Sequence, residues 1–288
     1  KWVSTHFGSI SCNYSGYTVS GHLFQGAAID LTPGKFSFST FYGRFQKAVQ
    51  PEGIGIGIQP AYKRIGAGIK IGYKDAKTGN WSLVLFTAED LMNSIRMSDV
   101  ADPILPQQNW CGGIQMQKTI IKKLTLSADI ATSLLTDNLL IKEANTALPA
   151  TLRLSATNAS TSIYKAIKSG LAYSIGKGNV NIAYQRIDPF YKTLGAYYFT
   201  NDMENITTGF MAPMFKQRLN ITANAGLQHD NLNKTKLSTM KRFAGNANIT
   251  FRPNTRLNAT VNYSNFLSYT NIRPYTDYQN QINPYMAW

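Results

Sequence analysis

The sequence of 288 residues contains few side chains whose types and spacing suit catalysis or metal binding. Its three histidines are His6, His22 and His229, and none has a second histidine, a cysteine or a carboxylate at the spacing of zinc ligands. Asp230 follows His229 in a polar segment, where an acid–histidine pair could assist hydrolysis. A solvated turn explains this pair more simply, so the sequence predicts no metal ligand and no catalytic residue.

Nucleophile patterns are equally sparse. A serine hydrolase requires a serine beside a histidine that a third group orients. Ser174 and Ser264 lie in segments with the pattern of strands, but the sequence places no histidine next to either. Gly53, Gly55 and Gly57 alternate with isoleucine, unlike a phosphate-binding loop that leads into a helix. We therefore predict a protein that is not an enzyme and binds no cofactor.

The chain is basic, with 29 lysines and arginines against 15 acidic residues and a formal charge of +14. Such an excess can indicate nucleic-acid binding, but here the basic residues are spread thinly and do not cluster with aromatic side chains. We therefore predict no nucleic-acid partner. Cys12 and Cys111 lie far apart, and the sequence leaves open one disulfide or two buried thiols, of which two thiols is the simpler interpretation.

Apolar residues recur at every second position along most of the chain. In residues 219–228 the odd positions are apolar and the even positions are polar or glycine, and residues 65–73, 124–130, 247–251 and 257–263 repeat this pattern. A period of two is the signature of a strand with one apolar and one polar face. No apolar run is long enough for a membrane-spanning helix.

This periodicity predicts thirteen strands, most of them long for a globular sheet. They lie near residues 3–14, 21–32, 35–49, 60–74, 80–89, 109–121, 123–136, 162–175, 179–188, 203–214, 217–228, 240–252 and 255–268. A tilted strand that crosses a bilayer needs roughly 9–11 residues, and most of these segments reach that length.

Short and long connections alternate between the predicted strands. The short turns lie at residues 33–34, 75–79, 122, 176–178, 215–216 and 252–254, and the longer connections at 50–59, 90–108, 136–161, 188–202 and 229–239. In an up-and-down barrel this alternation places all short turns at one rim, which is the arrangement of outer-membrane barrels. The predicted fold is an all-β, antiparallel up-and-down transmembrane β-barrel that forms a single domain over residues 1–288.

Four stretches resemble outer-membrane β-barrel proteins of the Bacteroidota. They are residues 13–21 (NYSGYTVSG), 31–38 (LTPGKFSF), 41–44 (FYGR) and 60–66 (PAYKRIG). The resemblance is specific over roughly the first third of the chain, and beyond it only the general character of the sequence is similar. It implies a barrel in the bacterial outer membrane, within a family that is largely uncharacterised, and it carries over no functional residue. Because such relatives tend to be longer, it also favours a fragment of a longer chain.

The basic residues suit the lumen or the rims of such a barrel. Arg44, Lys70 and Arg186 lie on the face opposite an apolar row or at the end of one, and they are the candidates for a lumenal or rim role. Rim cations bind anionic headgroups, so outer-membrane lipid and lipopolysaccharide are predicted partners, beside other outer-membrane subunits. The predicted function is a pore or transport channel, or a structural subunit of an outer-membrane complex. A barrel-embedded lipase or protease is the alternative, and a soluble β-rich binding protein is a weaker one.

Thirteen strands cannot close an ordinary bacterial barrel, which needs an even number. Residues 279–288 are long enough for a fourteenth strand, although Pro284 would remove one hydrogen-bond donor from it. We therefore expect about 14 strands if the barrel is closed, or a piece of a larger barrel.

Overall fold

The structure is a computed structural model that describes residues 2–50, 59–75, 77, 79–96, 104–146, 157–197, 200–254 and 256–272. It is all-β apart from a single 3-10 turn at Met92–Ser94. The strands are β1 (Val3–Asn13), β2 (Val19–Leu31), β3 (Phe36–Gln46), β4 (Lys63–Asp75), β5 (Gly79–Leu91), β6 (Gln108–Ile121), β7 (Leu124–Thr136), β8 (Thr161–Ile175), β9 (Gly178–Ile187), β10 (Gly195–Ala196), β11 (Met203–Met214), β12 (Leu219–Asp230), β13 (Ser238–Phe251) and β14 (Ala259–Ile272).

The long strands follow one another in chain order as hydrogen-bonded neighbours, from β1 through β9 and then from β11 to β14. Their pairing registers are antiparallel, which confirms the predicted all-β, up-and-down topology. Within the described residues β1 and β14 end this order, and the expected returning strand at 279–288 lies outside them. The closure of the barrel therefore stays a prediction.

All thirteen predicted strands are present, with small differences at their ends. The largest difference is in the last strand, expected at 255–268 and found at Ala259–Ile272. Connection 252–258 is therefore as long as connection 231–237, so the predicted alternation of lengths fails for the last pair. Arg252 and Asn258 hydrogen-bond through their side chains across this wider turn.

The short strand β10 was not predicted from the sequence. It lies in the connection expected at 188–202 and pairs in parallel with the start of β2 through Val19 and Ser20. Two residues are too few to show a period of two, which explains why the pattern could not reveal it.

The chain divides into two compact units, each described by itself. The first comprises residues 1–119, 127–167 and 190–199, and the second comprises residues 120–126, 168–189 and 200–288. The prediction of a single domain over 1–288 stays a prediction.

Strands of the first unit carry large apolar side chains on both faces. On β5, Phe86 is 2% exposed whereas Leu85 beside it is 53% exposed, because successive side chains point to opposite faces. The buried face forms one apolar core, which we call the aromatic core. Its members are Tyr14, Val19, Phe24, Ala28, Phe41, Phe45, Val84, Phe86, Ala88, Cys111 and Leu194.

Glycines on β4 make room for the rings of this core. Phe41 is paired with Gly68 in register, and a Cβ on Gly68 would lie 2.5 Å from the Phe41 ring. A Cβ on Gly66 would likewise lie 2.7 Å from the Phe45 ring. The Phe24 ring stacks on the Phe45 ring with 5.0 Å between their centroids. The core is thus packed by aromatic side chains lying over glycines.

Strands of the second unit have one apolar and one polar face. The apolar face includes Leu227, Val261 and Leu267, each more than 60% exposed. Their neighbours in register include Ile206 and Phe243, so the apolar row continues from strand to strand. The polar face consists mainly of asparagine, threonine and glycine.

Both cysteines are free thiols, which confirms the simpler of the two sequence interpretations. Cys111 belongs to the aromatic core, and Cys12 packs against it. Among the described residues, no helix has the length and apolar character needed to cross a bilayer.

We predict that Phe86→Ala destabilises the protein by about 3–5 kcal/mol, because it opens a cavity in a packed core. Leu85→Ala, one residue away on the exposed face, should cost much less. The measurement is the free energy of unfolding in denaturant for both variants. Equal losses would show that the two faces of β5 are packed alike.

Candidate functional site

A segment of the first unit folds onto the buried ends of several strands. We call residues 190–197 the docked segment. Tyr191, fully buried, donates its hydroxyl to the Tyr17 carbonyl at 2.7 Å, and Thr193 donates to the Thr18 carbonyl at 2.6 Å. With the β10–β2 pairing, these bonds hold the segment against the start of β2.

The other side of the docked segment is fixed through Asn109, which is fully buried. Asn109 accepts a hydrogen bond from the Leu194 backbone at 3.1 Å and donates to the Ser133 hydroxyl at 2.7 Å. Ser133 in turn donates to the Lys192 carbonyl at 2.7 Å. The segment is therefore anchored to β6 and β7 as well as to β2, and Leu194 enters the aromatic core.

Lys70 lies on the face of β4 that also carries the buried Gly66 and Gly68. Its ammonium donates to the Tyr14 carbonyl at 2.8 Å and to the Gln115 side chain at 3.1 Å. Gln115 also donates to Asp129 at 2.9 Å, and Asp129 accepts a bond from the Ser15 hydroxyl at 3.0 Å. A cation and a carboxylate are thus joined through one amide beside the aromatic core.

A polar cavity of about 430 Å³ adjoins this network. Gln115 and Asp129 line it together with Ser82, whose hydroxyl bonds to Gln115 at 3.0 Å. The cavity could hold a small polar molecule or several waters.

An ion pair lies toward the long connections. Arg64 binds Asp90 through two parallel hydrogen bonds of 2.8 and 2.9 Å, and the Gln107 backbone donates to the same carboxylate at 3.0 Å. Lys192 of the docked segment donates to the Gln107 side chain at 2.8 Å. Burial lowers the pKa of Lys192, and the Arg64 charge acts in the same direction.

Arg44 and Arg186 both lie at ends of apolar rows. Arg44 is paired in register with Gln25 and bonds to its side chain. Arg186 follows Ile182 and Tyr184 on the apolar face of β9, and its Nε is 3.6 Å from Asp188. The structure thus separates these two from Lys70, and the functional roles of all three stay predictions.

In the second unit, ionisable residues of neighbouring strands form a row at the end of the apolar face. We call Arg186, Glu204, His229 and Lys241 the rim row, because each is paired in register with the next. His229 Nε2 lies 3.2 Å from Glu204, which also accepts the Tyr184 hydroxyl at 2.7 Å.

An apolar groove of about 470 Å³ continues from the rim row. Its walls include Ile206, Leu227, Phe243, Leu267 and Tyr269. The sequence pattern does not reveal the pairing of His229 with Glu204, because the two residues are distant in sequence and only strand register brings them together.

The structure separates His229 from Asp230. Consecutive strand residues point to opposite faces, and Asp230 accepts the Met240 backbone at 2.7 Å instead of facing the imidazole. Among the described residues, no serine, threonine or cysteine hydrogen-bonds to His229. The pair thus lacks the geometry of an acid–histidine dyad.

The remaining candidates are dispersed. His6 lies 3.4 Å from Asp30, and His22 stacks on the Tyr197 ring at 3.9 Å. In the described part of the chain, no cluster of three metal-ligating side chains occurs. Gly53, Gly55 and Gly57 lie outside the described residues. Ser174 and Ser264 lie in β8 and β14.

Asp202 links the two connections beside the rim row through a hydrogen bond and an ion pair. It is 3% exposed, accepts the Leu232 backbone at 2.8 Å and pairs with Lys236. Although burial opposes ionisation, the hydrogen bonds from Lys236 and Leu232 outweigh it and lower the pKa of Asp202 below its usual range.

Comparison with known proteins finds no matching family model and no matching curated protein. Solved structures of outer-membrane porins are similar. Pseudomonas aeruginosa OccK8 (OprE) has a TM-score of 0.47 and 12% identity, over 94% of this chain and 77% of its own. P. aeruginosa OpdQ has a TM-score of 0.48 and 13% identity, over 94% and 74%. Acinetobacter baumannii OccAB3 has a TM-score of 0.48 and 8% identity, over 93% and 69%. Similarity at this level assigns no activity to the chain.

We predict that Asp202→Asn lowers stability at pH 7 by about 1–2 kcal/mol, because hydrogen bonds to a charged group are lost. Since the pKa of Asp202 is lowered on folding, its contribution is complete above about pH 4, the unfolded value, and disappears as the pH falls through the folded value. Unfolding midpoints of the two proteins should therefore converge as the pH falls below the folded pKa of Asp202.

The control is Asp75→Asn, since Asp75 pairs at 2.6 Å with the exposed Lys35. Ion pairs with a solvent-exposed partner contribute little, and Lys35 is 61% exposed, so this variant should change the midpoint less at pH 7. A constant difference between Asp202→Asn and wild type at every pH would contradict the assignment.

Proposed function

We propose that this protein is a non-enzymatic β-barrel channel of a bacterial outer membrane that passes small polar solutes. The observation that carries the proposal is the exposed apolar face, which runs from strand to strand on the side opposite the aromatic core. Its exposed members in the first unit are Leu23, Ile29, Tyr42, Ile69, Ile71, Trp81, Leu83, Leu85 and Ile114.

This exposed face suits lipid and not water. Soluble monomers rarely expose contiguous apolar patches beyond a few hundred Å², because each Å² left in water costs about 25 cal/mol. The strands are long enough to cross a hydrocarbon layer at a tilt, and β9, the shortest of the long strands, has 10 residues. A soluble β-rich protein is therefore the weaker interpretation.

The opposite faces suit the passage of polar solutes. In the second unit they present asparagine and threonine, and in the first unit the Lys70–Gln115–Asp129 network adjoins a polar cavity. The docked segment would act as a constriction, because it holds Tyr191 and Leu194 against the buried face. Opening would then require its anchoring bonds to Tyr17, Thr18 and Asn109 to break.

Outer-membrane lipid is the proposed partner of the rim. Arg186 and Lys241 of the rim row could bind phosphate groups such as those of lipopolysaccharide, with acyl chains in the adjacent groove. Arg44 would serve in the same way at the end of its own apolar row.

Two alternatives differ from the channel in what they require. A structural subunit would need no open path, and conductance measurements separate it from a channel. A hydrolase would need a nucleophile beside a base, and in the described residues His229 lies beside Glu204, which accepts the Tyr184 hydroxyl.

We predict that Ile221→Arg, on the apolar face of β12, costs about 2–4 kcal/mol of folding stability in lipid. Thr222→Arg, one residue later on the polar face, should be tolerated. The free energy of unfolding in lipid vesicles measures the cost of both substitutions. Equal costs, or a larger cost for Thr222→Arg, would contradict the lipid-facing assignment.

We also predict that planar bilayers containing the protein conduct KCl in discrete steps. The double variant Tyr191→Phe and Thr193→Val removes the two buried hydroxyl anchors of the docked segment and should raise the single-channel conductance or open probability several-fold.

The matched control is Tyr197→Phe, since Tyr197 is exposed and its hydroxyl bonds to the Leu23 carbonyl at 3.2 Å. It should leave the conductance closer to that of the wild type. If neither wild type nor the double variant conducts while both fold and insert, the structural-subunit interpretation replaces the channel.

A further inference from the structure

The polar face of the second unit contains a cleft built from three parallel rows of side chains. We call it the amide cleft. It has a volume of about 370 Å³, and its lining includes Asn181, Asn205, Thr207, Asn224, Gly226, Gln228, Arg242, Ala244, Asn246 and Phe266. Such a volume is at the lower end of the range for small-molecule sites.

Strand register sets the order of the rows. Asn224 and Asn246 are paired in one outer row, and Gln228 and Arg242 are paired in the other. Two rows of the same face are about 6.8 Å apart along a strand, so the two outer rows stand about 14 Å apart. The middle row between them runs through Thr207, Gly226 and Ala244 to Phe266, and its three small residues form the floor of the cleft.

Glycines keep the cleft open. The Thr207 methyl lies 3.2 Å from the place where a Cβ on Gly226 would stand, so a side chain there would fill the floor. At Gly209 an added Cβ would meet the amide of Asn181 at 2.7 Å and that of Asn224 at 2.9 Å. The two amides therefore converge over this glycine.

The outer rows offer several hydrogen-bonding groups. Asn224 donates to Asn246 at 3.0 Å, which uses only part of the capacity of the two amides. Arg242 has a buried Nε with no hydrogen-bond partner among the described residues. A buried donor without a partner is costly, so a polar ligand or water at this position would be favoured.

Phe266 supplies an apolar surface in the same cleft. It is paired in register with Ala244 of the middle row, and it is 65% exposed on a face that is mainly polar. An exposed aromatic ring beside amides indicates a ligand that has both polar edges and an apolar face.

We infer that the amide cleft binds a neutral mono- or disaccharide. Sugar hydroxyls donate and accept hydrogen bonds at neighbouring positions, which matches asparagine and glutamine amides that do the same. The C–H face of a sugar ring can lie on Phe266, and the Arg242 guanidinium can donate to a hydroxyl or ring oxygen. The inference names a solute class for the proposed channel and in that respect rests on it.

The test uses the full chain in detergent micelles, with glucose and maltose as probes and glutamine as a polar control solute. Ligand-detected NMR should show saturation transfer to the sugars and not to glutamine. Asn246→Ala and Phe266→Leu should weaken binding about tenfold, a loss that corresponds to one good interaction. Circular dichroism and thermal unfolding check that each variant is folded.

The matched control is Asn248→Ala, on the same strand and face as Asn246. Asn248 bonds to Asn262 outside the cleft, so its loss should leave sugar binding unchanged. No transfer to either sugar with folded wild type, equal transfer to glutamine, or equal weakening by Asn248→Ala would overturn the inference.

Planar-bilayer conductance of the same preparations separates this inference from the proposed function. Conductance without sugar binding would overturn the sugar site and leave the channel. Sugar binding without conductance would support the site and overturn the channel. Maltose added to a conducting wild-type channel should reduce its current, and Phe266→Leu should require about tenfold more maltose for the same reduction.

Discussion

The structure depends on antiparallel backbone pairing, which fixes the direction of every side chain. In a pleated strand each residue points to the face opposite that of its neighbour, so a register shift of one residue would turn an apolar face polar. In hydrocarbon the constraint becomes stricter, because an unpaired backbone amide or carbonyl has no water to bond. Unbroken antiparallel pairing, such as that of Lys63–Asp75 with Gly79–Leu91, satisfies this constraint.

Much of the fold could be predicted because a period of two is a local property of the sequence. Every long strand was found near its predicted position, since ten or more residues give the alternation enough repeats to be clear. The last strand was misplaced at its start because Leu257 extends the alternation into a turn that does not pair. The alternation of apolar and polar residues reports side-chain preference, whereas pairing also requires a partner strand in register.

The candidate sites could be predicted only in part, because they depend on contacts between distant residues. Lys70 lies on the face opposite an apolar row, but its network with Gln115 and Asp129 could not be predicted, because it depends on strand register. The docked segment left no periodic signal, although it carries Tyr191, one of the most buried residues of the first unit. In this unit the buried faces of β2, β3 and β5 form an aromatic core, which the period of two alone does not reveal.

Glycine position explains how one strand pattern produces two different interior surfaces. In the first unit, Gly66 and Gly68 lie beneath Phe45 and Phe41, so the space left by the missing side chains is filled by rings. In the second unit, Gly209 lies beneath the amides of Asn181 and Asn224, and Gly226 leaves a low floor between polar rows. Large apolar neighbours therefore close the space over glycine, whereas short amides leave it open and polar. A cross-strand neighbour, and not the glycine itself, decides whether a position is packed or available to a ligand.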